Sequence, residues 1–237
     1  DTVRRQRQMC IRDSYYYGRI EECEMTLNIE AIRKDFPILS RILPNGKKLV
    51  YFDNAATSQK PQCVIDAMTK YYEQYNSNAH RANHTLADEA TTALENARAM
   101  ISQFFGTKPE NLIYTSGATG AINLVSYGWA RYNLNEGDVV VLTEMEHHAD
   151  IVPWQELSKE KGIEVRYVPI NNETYMLDME AFEVAIEDAA LVCVTHTSNV
   201  LGIRNPVEQI IEMSKKSGAH VLCLLYTSPS PRDRVQS

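Results

Sequence analysis

The feature that most constrains this chain is the alternation of short apolar segments with segments of helical periodicity between residues 25 and 222. The clearest apolar segments are Val139–Leu142, Val165–Pro169 and Leu191–Thr195, and a fourth begins at His220. They are short and apolar on both faces, which is typical of strands buried between two layers. Helical patterns separate them. We therefore predict an α/β fold with a mostly parallel sheet covered by helices on both faces.

The earlier part of this region is predicted to be largely helical. Asn28 is suited to cap a short amphipathic helix, which would serve as an N-terminal arm. A second helix is predicted from Pro61 to about Tyr75 and a third from Thr85 to Phe105, with Gly106 at the position after its C-cap. Two short strands are also predicted, at Leu49–Phe52 and Leu112–Thr115.

The two ends of the chain do not share this pattern. Asp1–Ser14 and Cys223–Ser237 resemble translated adapter sequence, and parts of the two can be encoded by opposite strands of one short DNA. We interpret both segments as foreign to the protein. Tyr15–Glu24 is interpreted as upstream read-through. This leaves 25–222 as the N-terminal arm and a partial large domain.

Composition excludes several classes of protein. The 237 residues carry a net charge of −7, which argues against nucleic acid as the main partner. No apolar segment is long enough to cross a membrane. The five cysteines include no CxxC pair, so we expect reduced thiols and a cytoplasmic location. Cys193 lies within an apolar strand and is predicted to be a buried, neutral thiol.

Three polar segments follow predicted strands, where ligands gather in open α/β sheets. Ser116–Gly120 precedes a helix, so its backbone N–H groups and the Thr119 hydroxyl suit a phosphate, although a tight turn without a ligand fits equally well. His147, in Glu144–Asp150, suits stacking on a cofactor ring. The alternatives there are a solvated turn and a metal site shared with His148 and Asp150.

Asn199 belongs to the third segment that follows a strand, and two further segments offer polar groups. Asn199 provides an amide beyond the strand Leu191–Thr195, with an Asx-type turn as the alternative. Asp53–Thr57 combines polar and small residues, which suits close approach of the backbone to a ligand. Arg81, in the loop before the third helix, is suited to bind a carboxylate, although solvation at the surface is the commoner fate of such a residue.

Taken together, these segments resemble one enzyme family, the SufS-type cysteine desulfurases of the class V branch of fold-type I pyridoxal-phosphate (PLP) enzymes. The resemblance covers residues 25–222 and rests on the order and spacing of five motifs. They are YFDNAATSQKP (Tyr51–Pro61), AHRANHTLADEAT (Ala79–Thr91), SGATGAINLV (Ser116–Val125), EMEHHADIVPWQ (Glu144–Gln155) and THTSNVLG (Thr195–Gly202).

The resemblance implies a role for seven residues and implies no metal ion. Thr119 and the amides around Ala118 would hold the PLP phosphate, His147 would stack on the ring, and Asn199 would approach the ring hydroxyl. Three residues would face the substrate amino acid: Asn54, Ala55 and His80.

The implied reaction converts L-cysteine to L-alanine and an enzyme persulfide, which supplies sulfur to an acceptor protein of iron–sulfur cluster assembly. A homodimer is also implied. This sequence departs from the family at two of the motif positions: Gly120 stands where Glu is usual, and Asp150 where Asn is usual.

The resemblance further implies later residues that this chain does not contain: an Asp that pairs with the pyridinium nitrogen, the Schiff-base Lys and the persulfide Cys. We therefore expect the chain as written to be inactive and to fold poorly. The alternatives are another class V enzyme (a selenocysteine lyase or a kynureninase-like hydrolase), a metal-binding protein, and a non-catalytic fragment.

Overall fold

A computed structural model describes residues 27–224 of the chain. The interpretations of Asp1–Ser14 and Tyr15–Glu24, and of the terminal segment apart from Cys223 and Leu224, lie outside these residues. The chain divides into two compact units, Asp1–Ile113 and Tyr114–Ser237, which are described separately. Among residues 27–224, no helix has the length and apolar character needed to span a membrane.

The N-terminal unit is helical, as predicted. Asn28 caps the first helix by accepting a hydrogen bond from the Ala31 N–H at 3.0 Å. Gly106 follows the last helix with φ of 65°, the left-handed conformation expected after a C-cap. The helices are α1 (Ile29–Lys34), α2 (Gln62–Lys70), which continues as a π-helical segment (Tyr71–Tyr75), and α3 (Thr85–Phe104), with 3₁₀ turns at Pro37–Ser40 and Pro109–Asn111.

The two strands predicted in this part of the chain, Leu49–Phe52 and Leu112–Thr115, are wrong. Near the first, the described residues form only one isolated antiparallel bridge, Ile42 to Lys48, and Phe52 is 92% exposed. At the second, the Leu112 carbonyl accepts a hydrogen bond from Arg98 Nη1 at 2.6 Å. A strand needs a neighbour with which to pair its backbone, and local apolar character does not supply one.

The C-terminal unit contains the sheet. Its helices and strands alternate along the chain, as the sequence predicts. The elements are α4 (Ala118–Val125), which continues as a π-helical segment (Ser126–Ala130) and a short turn (Arg131–Asn133), β1 (Val139–Thr143), α5 (Val152–Lys161), β2 (Glu164–Val168), α6 (Met179–Ala185), β3 (Ala189–Thr195), α7 (Val207–Ser217) and β4 (His220–Leu224).

The four strands are all parallel, in the order β2-β1-β3-β4. The chain therefore passes between neighbouring strands through α5 (β1 to β2) and α7 (β3 to β4), whereas α6 leads from β2 past β1 to β3. The carboxyl ends of β1 and β3 lie side by side at the centre. The predicted mostly parallel sheet is confirmed. β4 includes Cys223 and Leu224, two residues beyond the predicted boundary at Leu222.

Helices cover both faces of the sheet, which confirms the predicted layers. On one face, Phe182 of α6 and Ile210 of α7 are fully buried against the odd-numbered side chains of β1. On the other, Ile122 of α4 and Trp154 of α5 are buried against the even-numbered ones. Because each strand is buried on both sides, its residues are apolar at consecutive positions.

We expect Phe182→Ala to lower the free energy of unfolding of the C-terminal unit by about 3–5 kcal/mol, because it removes a fully buried aromatic ring and leaves a cavity. Tyr132→Ala is the matched control, since Tyr132 is 84% exposed, and its effect should stay within about 0.5 kcal/mol. Urea titrations followed by circular dichroism measure both. Equal effects of the two substitutions would contradict the assigned core.

Candidate functional site

The N-terminus of α4 offers backbone donors to an anion. The Ala121 N–H donates to the Gly117 carbonyl at 3.0 Å, so the N–H groups of Ala118, Thr119 and Gly120 precede the first bond of the helix. Thr119 is exposed and Ala118 half-buried. Unbonded N–H groups at a helix N-terminus, beside a hydroxyl, favour a phosphate.

The turn before α4 closes tightly on itself. Thr115 Oγ1 donates to the Gly117 carbonyl at 3.0 Å. A Cβ atom added to Gly120 would lie 3.1 Å from Ser116 Oγ, closer than an ordinary contact. A larger side chain at Gly120 would therefore require the Ser116 hydroxyl to shift by a few tenths of an ångström.

His147 lies at the carboxyl end of β1, before a 3₁₀ turn formed by His148–Asp150. Its Nδ1 accepts a hydrogen bond from the Ala149 N–H at 3.1 Å, which orients the imidazole. The side chain is exposed at the edge of the sheet. His147, which is predicted to stack on a cofactor ring, is therefore exposed and has its imidazole held by the backbone.

The structure brings the α4 N-terminus and the His147 turn together. The two elements are in contact, and Ala118 and Ala149 pack against the same buried cluster, which includes Ile122 and Trp154. The helix that begins with the predicted phosphate-binding residues therefore contacts the turn that directly follows His147, although the segment before α4 is not a strand.

Asn199 lies four residues beyond the end of β3, at the same edge of the sheet as the end of β1. Its side chain is exposed. The turn around it is organised by Ser198 Oγ, which accepts from the N–H groups of Val200 and Leu201 at 3.3 and 3.2 Å. Because Ser198 supplies these bonds, the Asn199 amide is not needed to close the turn.

Two buried carboxyl groups lie beneath this edge. Glu146 is 7% exposed and Asp150 is fully buried. Glu146 Oε1 accepts from Thr143 Oγ1 at 2.6 Å and from the Thr195 N–H at 2.8 Å, so it joins the ends of β1 and β3. Burial raises the pKa of Glu146 to about 8, although the two hydrogen bonds oppose this.

Asp150 faces the interior. Its Oδ1 accepts from the Trp154 indole N–H at 3.0 Å, and Oδ2 is buried without a nitrogen or oxygen partner among the described residues. Burial raises the pKa of Asp150 to about 6, and hydrogen bonding to Trp154 and Cys193 lowers it less. The Asp150 carboxyl is therefore buried, and its burial favours the protonated form.

These positions do not support the metal alternative. The Asp150 side chain points into the core, whereas His147 and His148 are exposed. Among residues 27–224, no three side chains of metal-binding type converge.

Cys193 is fully buried, and burial, together with the charges of Asp150 and Glu146, raises the pKa of its thiol well above the usual value. The prediction of a buried, neutral thiol is confirmed.

The three residues predicted to face a substrate belong to the N-terminal unit. Asn54 and Ala55 lie in an exposed turn in which the Thr57 N–H donates to the Asp53 carbonyl at 3.1 Å. His80 has a positive φ of 63°, unusual for a residue with a side chain. Its N–H donates to Thr91 Oγ1 at 2.9 Å, and its Nε2 lies 3.1 Å from Glu95 Oε1.

Glu146, whose carboxyl group joins the ends of β1 and β3, was not among the site residues predicted from the sequence. The available signal was the spacing T-x-x-E from Thr143 to Glu146, which is typical of a reciprocal bond between the two side chains at the start of a turn. The second bond, to Thr195, joins residues 49 positions apart and leaves no local pattern.

Comparison with known proteins gives a consistent result. The aminotransferase class-V family model matches residues 50–223. A probable cysteine desulfurase of Halobacterium salinarum is 45% identical over 197 residues, which cover 82% of this chain and 47% of that protein. The chain thus spans about half the length of this curated relative.

Solved structures agree with the fold. The apo structure of a cysteine desulfurase from Thermococcus onnurineus has a TM-score of 0.75 and 35% identity, and the match covers 82% of this chain and 46% of that one. A C-DES mutant with glycine covalently linked to its PLP cofactor has a TM-score of 0.66, with coverage of 81% and 48%. At 21% identity, this second likeness shows the fold alone.

We expect Asp150→Asn to stabilise the protein increasingly as pH rises. The folded-state pKa of about 6 lies above the ordinary value of 3.8, so folding favours the protonated acid. The parent therefore loses stability as the pH rises from the ordinary pKa of Asp150 through its pKa in the folded state. Asp150→Asn has no such loss, because its amide carries no charge. The difference should grow by about 1–3 kcal/mol between about pH 4 and about pH 7.

Denaturant titrations of the two proteins at both pH values measure this difference. A difference that stays constant with pH, or that shrinks as pH rises, would show that the Asp150 carboxyl is not buried as described.

Proposed function

Because the chain belongs to the aminotransferase class-V family, we propose that the protein is a PLP-dependent cysteine desulfurase that acts on L-cysteine and releases L-alanine. The observation that carries the proposal is the contact between α4 and the His148–Asp150 turn, which directly follows His147. This contact supports a phosphate site at the start of α4 close to a ring-stacking residue at His147, which is the arrangement that an aromatic phosphate cofactor requires.

The chain's residues fit PLP. The N–H groups of Ala118 and Thr119 and the Thr119 hydroxyl would hold the phosphate, since a dianion is favoured at a helix N-terminus. His147 would stack on the ring, and the Asn199 amide would donate to the ring hydroxyl. PLP supplies the electron sink for the reaction when it is bound.

We assign substrate contacts to Asn54, Ala55 and His80. The His80 N–H donates to Thr91, and its imidazole lies within hydrogen-bond distance of Glu95, so contacts with two residues of α3 restrain it. Asn54 and Ala55 form an exposed turn whose small residues let a ligand approach the backbone.

The proposal includes the wider setting of a SufS-type enzyme. Such an enzyme would act as a homodimer in the cytoplasm and pass sulfur from a persulfide to an acceptor protein of iron–sulfur cluster assembly. The five cysteines without a CxxC pair support a reducing compartment. Exposed apolar side chains of the N-terminal unit, including Phe52, Ile113 and Met100, support further burial in an assembly.

We expect His147→Ala to weaken PLP binding by roughly three- to tenfold, since it removes the stacking partner of the ring. His148→Ala is the matched control, because His148 is the exposed neighbouring residue, and its effect should stay within about twofold. Titration of each protein with PLP, followed by quenching of tryptophan fluorescence, gives the affinities. Equal losses for the two variants would contradict the assignment of His147.

The activity itself is tested by sulfide release from L-cysteine in the presence of PLP and a thiol reductant. We expect sulfide release that requires added PLP, because PLP supplies the electron sink for the reaction. Sulfide release that is unaffected by PLP would contradict the proposal. Release of selenide from selenocysteine without sulfide from cysteine would replace the proposal with a selenocysteine lyase.

A further inference from the structure

We propose that Glu146 is a positioning residue, whose carboxyl group fixes the His147 loop against the end of β3. This inference rests on the proposed function in so far as His147 stacks on the PLP ring. The position of the loop itself can be measured without PLP.

The geometry of Glu146 supports this role. Thr143 is the last residue of β1 and Thr195 the last residue of β3, and one carboxylate oxygen, Oε1, accepts a hydrogen bond from each. Glu146 also donates its own N–H to the Thr143 carbonyl at 3.2 Å. Because His147 is the next residue, these bonds fix the position of its backbone relative to β1 and β3.

The Thr195 bond matters most, because it reaches across the sheet. Thr143 is close to Glu146 in sequence, so that bond shapes only the turn. Thr195 comes from the neighbouring strand, and the Asn199 turn follows it along the chain. Glu146 therefore couples the ring-stacking residue to the strand that leads to the proposed ligand of the ring hydroxyl.

The surroundings of Glu146 favour the neutral acid. Its Oε2 is buried without a hydrogen-bond partner among the described residues. Burial raises its pKa to about 8, and the charge of Asp150 adds to this effect. Two nearby thiols, Cys193 of β3 and Cys223 of β4, are neutral as well. Their burial, together with the charges of the two carboxyl groups, raises their pKa values. Glutamine is thus the conservative replacement, because it keeps Oε1 as an acceptor and carries no charge.

The test uses the full chain with Glu146→Leu, Glu146→Gln and a control, Glu187→Leu, at an exposed glutamate beyond α6. Hydrogen exchange of the Thr195 amide reports on the bond, and the NMR resonance of His147 reports on its surroundings. That resonance is assigned by its loss in His147→Gln. Val141, at the centre of β1, reports on global unfolding.

We expect Glu146→Leu to accelerate exchange of the Thr195 amide by roughly tenfold or more relative to Val141, since a buried donor loses its acceptor. It should also shift the His147 resonance. Glu146→Gln and Glu187→Leu should stay within about threefold of the parent and leave the resonance in place. Rescue by Gln separates positioning from a need for the charge.

Unchanged exchange and an unchanged His147 resonance in Glu146→Leu would overturn the proposal. If Glu146→Leu does not fold, Glu146→Gln decides. Its Thr195 amide must remain as protected, relative to Val141, as in the parent, because glutamine keeps Oε1 as an acceptor.

A final titration with PLP separates this inference from the proposed function. Weaker PLP binding by Glu146→Leu, together with the shifted resonance, supports both. A shifted resonance with unchanged PLP affinity supports the positioning of the loop but contradicts ring stacking by His147.

Discussion

The parallel pairing of β1 with β3 is the constraint on which the rest of the C-terminal unit depends. The pairing holds Leu142 beside Cys193, so the two strands end side by side. Each strand is then followed by a polar loop, which carries His147 after β1 and Asn199 after β3. Because parallel strands need crossover helices, the same pairing requires the covering layers, and α4 contacts the His147 turn at this edge. The site is thus a consequence of strand order.

The carboxyl groups beneath the site show how polar residues are accommodated in this core. Glu146 Oε1 accepts two hydrogen bonds, whereas its other oxygen and one oxygen of Asp150 have no nitrogen or oxygen partner among the described residues. An ionised carboxylate buried in this way costs several kcal/mol. Protonation reduces this cost, so both acids have raised pKa values. The site therefore rests on two acids that are most stable when neutral.

The sequence predicts helices and strands that are specified by a local or regularly repeated pattern of apolar residues. The four strands of the sheet, the two covering layers and the neutral Cys193 follow from apolar patterns and are confirmed. Leu49–Phe52 and Leu112–Thr115 have similar apolar character but form no strand, because pairing depends on distant backbone that local composition does not reveal. The roles of the site residues came from the resemblance. The bond between Glu146 and Thr195 was not predictable, since it joins distant residues through a single oxygen.

The central claim is that the start of α4 receives the phosphate of PLP. The most direct measurement is a titration of the isotopically labelled chain with PLP, followed by the backbone amide resonances. The account predicts saturable shifts that are largest at Ala118, Thr119 and Gly120, together with a shift at His147, because α4 contacts the turn that follows His147. Inorganic phosphate should shift the α4 amides and leave His147 unchanged. Saturable shifts confined to other parts of the chain, or no saturable shifts at α4, would contradict it.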